Sequence, residues 1–170
     1  MQKAQLQSKV KDEMRKHRWG AVSLLVAKHQ ALVDDDYELT WNFGWTLFSE
    51  KKFHLAEMVF QKAVALDPNN STAYFGIGMS QLKQELFPDA IESLTRSLGL
   101  KDYQLARQSL ALAYMKEGDL KKAEAVHREG LELKPQSYQR WKHYSDFLSD
   151  IGRDQDSQEA LKRSRELRVH

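Results

Sequence analysis

The chain contains no cysteine. That single absence excludes a disulfide framework, a thiolate zinc site and a cysteine nucleophile. Long hydrophobic runs are missing as well: nothing approaches the ~18 apolar residues of a membrane-spanning helix. The opening stretch MQKAQLQSKVKDEMRK has no apolar segment of the kind a secretory signal carries, so no membrane insertion and a cytoplasmic location are the expectations. Charge of one sign is also lacking. The 26 basic and 24 acidic residues are interspersed and leave a formal net charge of +2, which supplies no field to steer the chain toward nucleic acid or an anionic membrane.

Catalytic signatures are absent in the same way. No two of His17, His29, His54, His127, His143 and His170 have the i, i+4 spacing of a helical zinc site. No serine lies in a GxSxG context. The run GIGMSQ (76–81) has two glycines but neither a preceding strand nor a third glycine, so it is no dinucleotide loop. Asp34, Asp35 and Asp36 form an acidic connector, read as a helix-start signal because carboxylates favour the positive end of a helix dipole. Lys9, Lys11, Arg15, Lys16 and Arg18, and again Lys162, Arg163, Arg165 and Arg168, are interrupted by acids and read as solvated faces. No enzyme, no metal, no cofactor, no small-molecule substrate and no nucleic-acid partner are expected.

What the chain does contain is a repeat. Phe53 and Phe87, Ala56 and Ala90, and Leu66 and Leu100 all stand 34 apart. Leu120, Ala123 and Leu133 follow at 33, and Ser157 and Leu167 return to 34. One step back from Phe53 reaches Trp19. Self-similarity at this period signals a stack of supersecondary units. Each unit reads as two helices with apolar residues on one face. Gly44, Gly78, Ala111 and Ser145 are small where two helices cross, as are Ala56, Ala90, Ala123 and Ser157 on the partner helix. Gly118 and Gly152 end the first helix of their units, and Pro68 and Pro135 stop the second. Asp102 takes the proline's place in the third unit, where one residue is missing.

These residues resemble the tetratricopeptide repeat. Phe43, Gly44, Leu47, Ala56, Phe60, Ala63 and Pro68 carry its pattern in one unit; Leu110, Ala111, Tyr114, Ala123, Gly130 and Pro135 carry it in another, with His127 in place of phenylalanine. The resemblance implies an all-α fold, a right-handed α-solenoid of stacked helix–turn–helix repeats. The expected organisation is one solenoid domain over residues 1–170. It comprises a divergent first unit or cap at 1–36, repeats at 37–70, 71–103 and 104–137, and a divergent last repeat or cap at 138–170. In the first unit Lys9 and Glu13 stand where apolar residues belong, which suggests a splayed or capping helix.

The resemblance further implies that the first helix of each unit lines a concave groove that binds a segment of another protein, a peptide or a helix. Trp41 and Trp45 are four apart and share a face offset from Phe43 and Leu47. Trp41 aligns with Phe75, Gln108 and Lys142; Asn42 with Gly76, Ser109 and His143; Trp45 with Met79, Leu112 and Asp146. The expected partner-binding residues are therefore Trp41, Asn42, Trp45, Phe75, Met79, Gln108, Ser109, Leu112, Lys142 and His143. The alternatives are burial of the tryptophans within the chain and a homodimer built on the same surface. Some members of the family grip an acidic C-terminus of a heat-shock chaperone with Lys, Asn and Arg. That set would fall at Trp41, Trp45, Gly76, Leu105 and Ser109, and none matches. Size, apolar groove and leading helix look more like a secretion-type chaperone holding a client segment. The function these observations imply is a non-enzymatic interaction scaffold or adaptor.

Overall fold

The computed structural model describes residues 1–168. A three-helix opening, α1 (Lys3–Arg15), α2 (Trp19–Lys28) and α3 (Gln30–Asp34), precedes four helical pairs. These are α4 (Tyr37–Ser49) with α5 (Phe53–Leu66), α6 (Ser71–Lys83) with α7 (Phe87–Leu100), α8 (Gln104–Lys116) with α9 (Leu120–Leu133), and α10 (Tyr138–Asp150) with α11 (Asp154–Arg168). The described residues contain no strand, so the fold is all-α and built of helix–turn–helix repeats. The chain divides after Lys101 into two compact units.

Local chemistry sets the helix ends. Asp36, Asn70, Asp119 and Ser137 cap α4, α6, α9 and α10, each accepting a backbone N–H from the first turn. Such caps are worth about 1 kcal/mol each. Asp36, on the acidic connector, accepts from the Leu39 amide at 2.9 Å. Between the helices of every pair the backbone takes one left-handed residue: Lys51, Glu85, Gly118 and Gly152 all have positive φ, at 61°, 62°, 83° and 77°. His17, between α1 and α2, is a fifth at 55°. The amide of the next residue then closes each turn on the carbonyl five positions back, as in Lys52 to Leu47 at 2.9 Å and Arg153 to Leu148 at 2.8 Å. Glycine fills this position in only two of the five turns, so the sequence pattern exposes only those two.

The first unit is packed around Phe60. Its ring on α5 is fully buried between Gly44 on α4 and Gly76 on α6. A β-carbon at Gly44 would stand 2.5 Å from the ring and one at Gly76 2.7 Å away. One step along, Gly78 of α6 meets Leu94 of α7, where a β-carbon would stand 2.6 Å from Leu94 Cγ. The opening helix α1 is amphipathic on a stripe that avoids Lys9 and Glu13. It buries Leu6 and Val10 against Val22, Val26, Val33 and Leu39, with Met14 beside them. The divergent opening therefore has an apolar seam shifted by one residue from the repeat register, and α1 packs on α2 and α4. The second helix of this opening breaks at His29 into α2 and α3, so the opening has three helices rather than two.

The second unit solves the same crossings with polar groups. Where the first unit sets Gly44 and Gly78 against its second helices, α10 and α11 present Ser145 and Ser157. Each hydroxyl donates to the other residue's backbone carbonyl at 2.9 Å, and the two oxygens lie 3.0 Å apart. Ser164 Oγ donates to the Tyr138 carbonyl at 2.7 Å, as Ser97 Oγ does to Ser71 at 2.8 Å in the first unit. At the matching place in α9 stands Gly130, against which the side chains of Arg107 and Arg140 lie. Both guanidinium groups are buried and converge on Asp102 at 2.5 Å, while donating also to the carbonyls of Val126 and Gly130. Burial opposes ionisation of Asp102, but the hydrogen bonds from Arg140 and Arg107 outweigh it and hold the carboxyl below its usual range.

Two substitutions separate the need for space from the need for positive φ. Gly44→Ala is expected to lower stability by about 1–3 kcal/mol, because the Phe60 ring must move. Glu85→Gly is expected to be neutral or to raise stability by up to about 1 kcal/mol, by relieving a left-handed side-chain clash. Urea denaturation of both variants reads the difference, and an undiminished Gly44→Ala protein would remove the ring-in-slot account. Asp102→Ala leaves the buried Arg140 guanidinium without its counter-ion and the buried Arg107 with only the exposed Glu129, 3.5 Å away. It is expected to cost about 3 kcal/mol, whereas a loss under roughly 0.5 kcal/mol, the range of ordinary surface changes, would show that the carbonyls alone suffice.

Candidate functional site

On α4 the residues at 41, 42 and 45 lie along one flank of the helix. The Trp41 and Trp45 rings meet edge to face at 6.2 Å. Trp45 continues inward, 5.1 Å from the Phe60 ring, 5.9 Å from Phe75 and 5.3 Å from Phe48. Both tryptophans are half-buried and border the cluster of Leu47, Ala56, Phe60 and Ile77. Trp45 therefore belongs partly to the packing between repeats, because an indole is long enough to reach the knob on the next helix. Phe75 is buried and Met79 half-buried on α6.

Polar atoms distinguish this flank. Trp41 Nε1, Asn42 Nδ2 and Trp45 Nε1 are all shielded from solvent, and none has a hydrogen-bond acceptor. Asn42 itself is 4% exposed. Nearly all buried donors in folded proteins are paired, and leaving one unpaired costs about 1–3 kcal/mol. Here three occur within about one turn of a single helix.

In the second unit the expected residues separate. Gln108 on α8 and His143 on α10 are hydrogen-bonded, Nε2 to Nδ1, at 2.5 Å. With Leu112 they line a cavity of about 170 Å³ whose other walls are Ala111, Met115, His127, Asp146, Phe147 and Asp150. Leu112 is 44% exposed. Ser109 and Lys142 are not among the lining residues; Lys142 is exposed and pairs with Asp146 at 3.0 Å.

His127 stands where Phe60 stands in the first unit and packs, tilted, beside the stacked pair of Phe147, at 4.9 Å, and Tyr144, at 6.0 Å. Burial, then the neighbouring His143 and Arg107, push its pKa down to about 4. Burial also lowers that of His143, with Asp146 opposing. Sequence reading treats His127 as a packing substitute and leaves Met115 and Asp150 unremarked. The usable signal was spacing: 108, 112 and 115 form one stripe on α8, and 143, 146 and 150 one stripe on α10.

Among the described residues no group of three or more His, Asp or Glu is placed to hold a metal ion, and no helix is long and apolar enough to cross a membrane. Of the basic residues near the start, Lys11 pairs with Glu38, Lys16 with Asp12 and Arg18 with Glu13.

A family model for the tetratricopeptide repeat matches residues 37–70 and 105–137. No curated protein matches the chain. Among solved structures, MamA from Desulfovibrio magneticus RS-1 is similar with a TM-score of 0.78 at 20% identity, over 99% of this chain and 97% of that one. PilF of Pseudomonas aeruginosa is similar with a TM-score of 0.76 at 13% identity, over 96% of this chain and 75% of that one. At these identities the likeness is one of fold.

The buried imidazole makes stability pH-dependent in a defined window. Above pH 6.5 His127 is neutral folded and unfolded, and its protonation contributes nothing. Between pH 6.5 and about 4 only the unfolded state takes up the proton, so stability falls as pH falls. The full loss is on the order of 3 kcal/mol. His127→Phe is expected to flatten this window in urea denaturation at pH 7 and pH 5. An unchanged pH dependence in that variant would mean that the imidazole does not carry the effect.

Proposed function

We propose that this chain, a tetratricopeptide-repeat protein, is a non-enzymatic scaffold or adaptor that binds a segment of another protein along the first helices of its repeats. In the first unit the contact face is the flank of α4 and α6 bearing Trp41, Asn42, Trp45, Phe75 and Met79. In the second unit it is the face of α8 and α10 bearing Gln108, Ser109, Leu112, Lys142 and His143.

The observation that supports this reading most is the set of three unpaired donors at Trp41, Asn42 and Trp45. A partner segment brings backbone or carboxylate oxygens, which are the acceptors these groups lack. An extended segment or a free C-terminus suits them better than the middle of a helix, whose carbonyls are already hydrogen-bonded within the helix. The half-buried rings stand at the border of the core, so an arriving segment would displace ring edges without unpacking Phe60. Tryptophan is also a favoured anchor in interfaces.

The test uses a double variant, Trp41→Phe with Trp45→Phe, which keeps aromatic rings at both places and deletes two orphaned N–H groups. A partner captured from native lysate by the unaltered chain and identified by mass spectrometry is expected to bind the variant at least about tenfold more weakly, the effect of one hydrogen bond of ~1.4 kcal/mol. The variant's stability is expected to be unchanged or higher, since buried donors without acceptors are removed. Equal binding of the captured partner would take the α4 flank out of the interface. Sedimentation across a concentration range reads the other occupant, a second copy of the chain.

A further inference from the structure

The cavity of the second unit has a chemistry of its own. Its volume of about 170 Å³ is below the ~300–1,000 Å³ of sites for drug-sized ligands, and suits a single side chain. Ala111, Leu112 and Met115 from α8 and Phe147 from α10 make apolar walls. Asp146 and Asp150, one turn apart and both exposed, stand at its edge. Asp150 has no ion pair among the described residues, and it is the last residue of α10, where the helix dipole adds partial negative charge. Asp146 Oδ2 lies 3.8 Å from His143 Nδ1 and pairs with Lys142 on its own helix, both carboxylate and ammonium about half exposed. Such an i, i+4 surface pair is worth ~0.3–0.5 kcal/mol and is readily exchanged.

A second observation points the same way. His127 lines the cavity, is 9% exposed, and takes part in no hydrogen bond among the described residues; the rings of Tyr144 and Phe147 pack beside it. A neutral imidazole offers one N–H and one acceptor lone pair. One hydrogen bond joins Gln108 Nε2 to His143 Nδ1, which leaves Gln108 Oε1 as an acceptor and the second ring nitrogen of His143 outside that bond. The unfilled polar capacity is still mostly acceptor capacity: two carboxylates, an amide oxygen and an imidazole nitrogen of His127. A carboxylate or phosphate ligand would meet two like charges. An apolar group would leave His127 unpaired. An ammonium has three donors and a guanidinium five, with no acceptor on either, and both ride on methylene stems that apolar walls sheathe well.

We infer that this cavity receives a lysine or arginine side chain of the bound protein segment. The inference rests on the reading that the chain binds such a segment, and names the chemistry of one of its residues. The segment's basic head group is held at Asp146 and Asp150, with Lys142 released to solvent, and its stem lies on Leu112, Met115 and Phe147.

The experiment pans the intact chain, and its Asp146→Lys/Asp150→Lys double variant, against a displayed library of random linear peptides. Both substitutions are at exposed positions, and circular dichroism checks that the variant is folded. The unaltered chain is expected to enrich peptides with Lys or Arg at one fixed register beside an apolar residue. The double variant is expected to lose those peptides and enrich Asp or Glu there. A selected peptide and its analogue with norleucine in place of the basic residue, compared by calorimetry, should differ by about tenfold or more on the unaltered chain and not on the variant. Selected peptides without a fixed basic position, or equal binding of the norleucine analogue, overturn the assignment of the cavity while leaving segment binding intact. Recovery of no peptide by either protein overturns segment binding as well.

Discussion

A phenylalanine ring set between two helices that carry no side chain at the contact is the constraint on which the first unit depends. Phe60 can be fully buried only because Gly44 and Gly76 let the backbones of α4 and α6 close on both faces of its ring. Dispersion contacts are individually small but a slot of this kind makes many at once, and it tolerates no added methyl group. The Phe60 ring is also what Trp45 rests on. The candidate binding flank of α4 is therefore an extension of the core, and its orientation follows from the fit of one ring.

The second unit meets the same geometric demand with different chemistry. His127 replaces the phenylalanine, a pair of serines replaces the small residues at one crossing, and two buried arginines close around Asp102. Buried ion pairs seldom add net stability over apolar packing. What they add is direction: each guanidinium is aimed by a carboxylate and by a backbone carbonyl, which fixes how α8, α9 and α10 meet. The imidazole fills less of its site than a phenylalanine would be expected to, and a cavity opens beside it. The same repeat position, 60 in α5 and 127 in α9, thus fills the core in one unit and borders the cavity in the other.

Much of this was readable in order of sequence. The 34-residue spacing locates every helical pair, and small residues at 44, 78, 111 and 145 mark the crossings. The acidic connector reads as a helix start, and in the structure Asp36 caps α4. Other features left no usable trace. The left-handed turn residue recurs five times, but lysine, glutamate and histidine occupy it as well as glycine, and nothing in a side chain's identity reports φ. Lys9 and Glu13 suggest a polar opening helix, whereas the apolar stripe lies at Leu6, Val10 and Met14. Asp102 reads as a substitute for proline and is in fact the anchor of an ion network spanning 38 residues to Arg140.

The order of residues is enough for the repeat, its register, the helical character of each segment and the absence of any cysteine-based chemistry. These are local or periodic properties, set by 3.6-residue spacing, by capping side chains and by where a β-carbon is absent. Packing across helices is what leaves the tryptophan donors of α4 without acceptors, joins Arg107 to Arg140 through Asp102, and places His127 in the lining of a cavity with Asp146 and Asp150. Each of those depends on how far a side chain reaches across to another helix, and that distance is fixed by packing between elements far apart in the chain.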